Sequence, residues 1–74
     1  MNNTRDEIFI KNFGERVKKL RKSKGMSQEQ LGLEAEVGKN QVGLIERGEV
    51  NSTISTVNAL AKALEVEPFE LLKV

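Results

Sequence analysis

The sequence predicts an all-α fold, a compact domain of five helices, and three observations carry that expectation. Apolar residues recur at helical spacing in successive short stretches. The strict alternation of a half-buried strand occurs nowhere, and no internal repeat or low-complexity tract competes with helices. Glycine, Ser/Thr caps and the single proline punctuate the stretches where helices would begin and end.

Phe9, Phe13, Val17 and Leu20 follow one another at steps of four, four and three, an apolar stripe along a first helix that begins near residue 10 and stops at Gly25. Ser27 with Gln30 is a capping-box pattern and opens a second, short helix near Gln28. Leu31 and Ala35 form its buried side, and Glu29 in its first turn suits the helix dipole. Val37-Gly38 is a break, after which Val42 and Ile45 give a buried side to a third helix that halts at Gly48. Residues 48–53 are polar and turn-rich, a loop ending in a Ser or Thr cap. Ile54, Val57, Leu60, Ala61 and Leu64 mark a fourth helix of about three turns. Pro68 suits the first position of a fifth, short helix carrying Phe69, Leu71 and Leu72. The chain is thus one domain over residues 1–74, with an N-terminal extension over 1–9 and a helical core over 10–72.

At 74 residues the chain stands near the lower end of what one apolar core stabilises unaided, so help from a second subunit is a natural expectation. Cysteine and histidine are both absent, which removes disulfides, thiolate nucleophiles, the usual zinc sites and histidine bases. No glycine-rich phosphate loop, metal-ligand spacing or nucleophile motif is present, and Glu34 and Glu36 read as surface residues. The expectation is a protein that is not an enzyme and takes no cofactor or metal. No stretch approaches the roughly 20 apolar residues of a membrane span. Asp6 and Glu7 before Ile8-Phe9-Ile10 do not follow a signal peptide's plan, so a cytoplasmic location without membrane contact is expected.

The net charge of +1 hides an asymmetry. Residues 1–25 hold eight Lys/Arg against three Asp/Glu, whereas 26–47 and 48–74 each hold two against four. Lys18, Lys19, Arg21, Lys22 and Lys24 fall within about two helical turns, so they do not share one face, but several can line a phosphate backbone, Lys19 and Lys22 among them. The alternative is an ordinary solvated face.

A basic helix, a short helix, a break and a second short helix with a polar start is helix-turn-helix order. A helix entering the major groove needs polar tips at its amino-terminal end, where each base pair shows a distinct donor and acceptor pattern. Lys39, Asn40 and Gln41 stand there. Asn and Gln can bond adenine twice, and Lys can donate to guanine.

Met26-Ser27-Gln28-Glu29-Gln30-Leu31, then Ala35, Val37 and Ile45-Glu46-Arg47-Gly48, resemble the Cro/repressor-like (XRE) DNA-binding family. The resemblance continues through Ala61-Lys62-Ala63-Leu64-Glu65-Val66 and covers about residues 13–72. It implies a lambda-repressor-like fold, with the second and third helices as the motif, and a transcriptional regulator, foremost a repressor, that binds double-stranded DNA. On the family's pattern Lys39, Asn40 and Leu44 face bases, Leu44 meeting a thymine methyl, while Gly43 permits close approach. Gln28 would bind a phosphate beside the exposed helix start, or simply open the helix. Arg47 and the Asn51-Ser52-Thr53 loop are further phosphate candidates, although Arg47 also suits a helix carboxyl end. The resemblance also implies an ion pair between Arg21 and Glu46. Three positions depart from the pattern. Glu36 stands where glycine usually takes positive φ, Gly38 replaces a Ser or Thr cap, and Glu65 replaces a glycine, so the fourth helix is expected to end differently.

Phe69, Leu72 and Val74 either complete the core or form an interface. A homodimer reading two half-sites about one DNA turn apart is the leading expectation. A protein partner, as for an antitoxin or a recruiting module, is the alternative.

Overall fold

The computed structural model describes residues 6–74, which form five α-helices and, among the described residues, no strand. They are α1 (Glu7–Ser23), α2 (Gln28–Ala35), α3 (Lys39–Glu46), α4 (Ile54–Leu64) and α5 (Pro68–Leu72). None of them is long and apolar enough to cross a membrane.

Helix α1 begins at Glu7 rather than near residue 10, because Asp6 caps it: the carboxylate accepts from the Phe9 backbone N–H at 3.0 Å. Of the extension expected over residues 1–9, residues 7–9 are therefore helical, and residues 1–5 lie outside the described ones. The buried stripe shifts accordingly. Ile10, Phe13 and Val17 are buried, whereas Phe9 is 42% exposed and Leu20 half-buried. Ile10, three residues before Phe13 and seven before Val17, is on the centre of the stripe, and Phe9 is on its edge.

The breaks are made by hydrogen-bonded caps. Gly25 has φ +72°, and the Met26 N–H donates to the Arg21 carbonyl at 3.1 Å. Ser27 and Gln30 form the capping box in both directions, at 3.0 and 2.8 Å. Gly38 gives α3 no side-chain cap, while Thr53 caps α4 by accepting from the Thr56 N–H at 3.1 Å. Glu36 and Glu65 both adopt left-handed conformations, with φ of 60° and 61°. The expectation that Glu65 would end α4 differently is thus corrected. Val37 donates to the Gly32 carbonyl at 2.9 Å and Val66 to the Ala61 carbonyl at 3.0 Å, and both valines pack on the core. That closing bond and apolar contact hold the left-handed residue in place without glycine.

Every helix contributes to one core of Phe13, Val17, Leu31, Ala35, Val42, Ile45, Leu60, Ala61, Leu64 and Leu71. At eight residues each, α2 and α3 are too short to persist alone, so packing sets their orientation. Gly14 is part of how α3 is placed. A Cβ there would press on the Ile45 carbonyl and come within 2.8 Å of the Glu46 oxygen, so α1 and the end of α3 meet backbone to backbone. Phe69, Leu72 and Val74 do not complete the core, remaining 62, 44 and 48% exposed, while Leu71 is fully buried between them.

Candidate nucleic-acid interface

Helix α3 has a buried side and an outer side, with Gly43 at the boundary. Val42, Gly43, Ile45 and Glu46 are buried, Lys39, Asn40 and Gln41 are exposed in its first turn, and Leu44 is half-buried one turn on. The outer side forms an open cleft with the start of α2, lined by Gln28, Lys39, Asn40, Gly43, Leu44 and Arg47. The fold therefore brings together two base-reading candidates in the first turn, the apolar Leu44, and two phosphate candidates, one at the start of α2 and one at the end of α3. Gln41 lies outside this lining but shares the exposed first turn.

Arg47 folds back over the helix. The point a Cβ on Gly43 would occupy lies 3.0 Å from Arg47 Nη1 and 3.7 Å from Gln28 Oε1, so the absence of a side chain at Gly43 makes room for the guanidinium. Arg47 Nε donates to Glu49 Oε2 at 2.9 Å, an exposed ion pair beside that approach. The sequence did not suggest this partner. The Asn51-Ser52-Thr53 loop offers little to a phosphate through its hydroxyls. Thr53 is engaged in its cap and with Thr56, and the Ser52 hydroxyl oxygen is buried without a partner.

The basic side chains of α1 sort by face. Lys11, Lys18 and Lys22 recur at steps of seven and four, so they share one flank, and Gly48 packs against the Lys11 backbone on that side. Lys19 is exposed and nearly opposite the buried stripe, away from the cleft. Lys24 reaches Glu65 at 3.4 Å, an exposed pair worth little. Lys11 is the residue that a count of neighbouring charges overlooked, and its spacing from Lys18 was the available signal.

Beneath the cleft, Arg21 and Glu46 meet in a buried, two-bond contact: Nε to Oε2 at 2.6 Å and Nη2 to Oε1 at 3.0 Å. Arg21 Nη1 also donates to the Met26 carbonyl at 2.8 Å, and Gln28 Nε2 donates to Glu46 Oε1 at 3.0 Å. Together these bonds tie α1, the entry to α2, the first residue of α2 and the last of α3. The hydrogen bond to Glu46 holds the Arg21 guanidinium above its ordinary pKa, burial opposes this, and the Glu46 charge adds to it. Because the folded value is raised, the Arg21 contribution is lost only as pH rises through that value, above the ordinary arginine range.

Three comparisons place this geometry among known proteins. A helix-turn-helix family model matches residues 17–71. The control protein C.BamHI of Bacillus amyloliquefaciens is 39% identical over 61 residues, which span 81% of this chain and 75% of that protein. The crystal structure of the restriction-modification controller protein C.AhdI from Aeromonas hydrophila superposes with a TM-score of 0.83 at 40% identity, covering 84% of this chain and 94% of that one. The solution structure of the DNA-binding domain of the P22 c2 repressor gives 0.80 at 34% identity, over 82% of this chain and 80% of that one.

Proposed function

The chain belongs to the Cro/repressor-like helix-turn-helix family, and from that premise we propose that it is a cytoplasmic, sequence-specific DNA-binding regulator of transcription. It acts as a homodimer and inserts α3 in the major groove of an operator. The observation that carries this reading is the cleft itself: Lys39, Asn40 and Leu44 stand on the outer side of α3 between Gln28 and Arg47. Lys39, Asn40 and Gln41 supply donors and acceptors suited to base edges, and Leu44 an apolar surface suited to a thymine methyl. Gln28 and Arg47 approach each other over Gly43 and offer donors to the phosphate backbone beside the base-reading turn. Lys22, with Lys11 and Lys18, adds a basic flank beyond the cleft. Lys19 contributes only through the general field.

Phe69, Leu72 and Val74 form the dimer surface, since they are apolar, close in sequence and outside the core. A protein that occupies an operator blocks competing proteins, so repression is the default sign. Two controller proteins among the relatives favour control of restriction-modification genes as its specific role.

The test is selection from a pool of random-sequence duplexes by the purified chain. Recovery of a near-palindromic site, with affinity that falls steeply as salt rises, is the expected result. Equal retention of all sequences would overturn sequence-specific recognition.

A further inference from the structure

The carboxylate of the buried ion pair carries one more donor than the pair requires. Glu46 Oε1 accepts from Arg21 Nη2 and from Gln28 Nε2, each at 3.0 Å, while Oε2 is engaged by Arg21 Nε. The Glu46 side chain is only 2% exposed. An ionised carboxylate only accepts hydrogen bonds, so a Gln28 amide turned the other way would set oxygen against oxygen where water does not relieve it. One of the two amide orientations is therefore selected: Nε2 toward Glu46, Oε1 toward the Gly43 side of the cleft, where Arg47 Nη1 also lies. Arg21 reinforces it through the Met26 carbonyl, which fixes the backbone just before the Ser27 cap and hence the residue that carries the amide.

We propose that Glu46 is a positioning residue for DNA binding: backed by Arg21, it fixes the Gln28 side chain in the cleft with its oxygen toward Gly43 and the second N–H of the amide not used by Glu46. The inference rests on the DNA-binding reading above. A free N–H suits a phosphate oxygen, and the acceptor suits a donor such as an exocyclic base amine. The rotamer freedom that DNA would otherwise remove from Gln28 is already gone in the free protein. Glu46 itself touches no DNA in this arrangement, and neither does Arg21.

The test combines a binding cycle with a view of the amide. Arg21→Met with Glu46→Met replaces the pair by apolar side chains at unchanged net charge, a kind of exchange that cores often tolerate. Affinities are measured for the duplex that the wild-type chain selects from the random pool. Gln28→Ala should lower affinity roughly tenfold, as for loss of a well-placed hydrogen bond. The double methionine variant should lose a similar factor while remaining folded, and adding Gln28→Ala to it should lose nothing more. In the wild-type chain, the side-chain amide resonances of Gln28 should be ordered and slow to exchange, in contrast to those of the exposed Gln41. This second measurement decides the matter if the double variant does not fold. Wild-type affinity in a folded double variant, no loss in Gln28→Ala, or a Gln28 amide as mobile as that of Gln41 would each overturn the proposal. A chain that selects no duplex overturns the DNA-binding reading and this inference with it, whereas selection without coupling overturns this inference alone.

Discussion

The end of α3 meets α1 and the start of α2 through a buried charge pair and the amide bonded to it; where α4 meets α5, fully buried Leu60, Ala61, Leu64 and Leu71 pack together. The first contact is directional. Four hydrogen bonds converge on Arg21 and Glu46: two join α1 to the end of α3, one joins α1 to the entry of α2, and one joins the start of α2 to α3. The second is apolar and tolerant of small shifts, and α1 holds α5 from its other side through Arg16, which donates to the Glu70 carbonyl at 3.0 Å. On the proposed function, a helix that reads base edges would need fixed geometry and an end that meets a second subunit would need apolar surface; Phe69, Leu72 and Val74 are exposed at the carboxyl end.

The comparison breaks first at the charge pair. Arg21→Ala leaves the Glu46 carboxylate buried and unpaired, at an expected cost of about 3–5 kcal/mol. Its Tm should fall well below that of the wild type, and an unchanged Tm would remove the pair from the account. Leu64→Ala, in the apolar half, should cost about 2–5 kcal/mol in urea unfolding. The two losses differ in their remedy: replacing both members of the ion pair by methionine should recover most of the stability, whereas the cavity at Leu64 is relieved only by restoring volume.

Changes to the outer surfaces separate function from stability. Lys39→Ala should weaken binding to the selected duplex by about 1–3 kcal/mol while leaving Tm unchanged. Phe69→Ser with Leu72→Ser should shift the monomer–dimer equilibrium in sedimentation toward monomer by roughly tenfold or more, with the helical spectrum unaltered. The smallest effect is expected at the left-handed ends. Glu36→Gly and Glu65→Gly should each raise stability by about 0.5–1 kcal/mol, since glycine adopts φ near +60° without the Cβ penalty.

Local chemistry made much of the fold legible. Gly25, Ser27, Gly48 and Pro68 announce their helix ends because capping involves residues only a few positions apart. The start of α1 is less legible, because Phe9 and Ile10 are both apolar and fit nearly the same stripe and the periodicity does not single out Asp6 as the cap. Gly14 carried a signal, an isolated glycine inside a helical pattern, but only the approach of α3 gives it a reason. The cleft was legible residue by residue through the family pattern. The orientation of the Gln28 amide was not, since it is set by a carboxylate 18 positions away. Nor was the return of Arg47 over Gly43, because side-chain paths across a helix surface depend on which neighbours leave room.

The most direct measurement compares wild-type, Lys39→Ala and Asn40→Ala chains on the selected duplex and on a scrambled duplex of equal length at one salt concentration. The expected result is that both variants lose most of the preference for the selected site while binding the scrambled duplex about as weakly as the wild type does. Unaltered preference in both variants would contradict recognition through the first turn of α3.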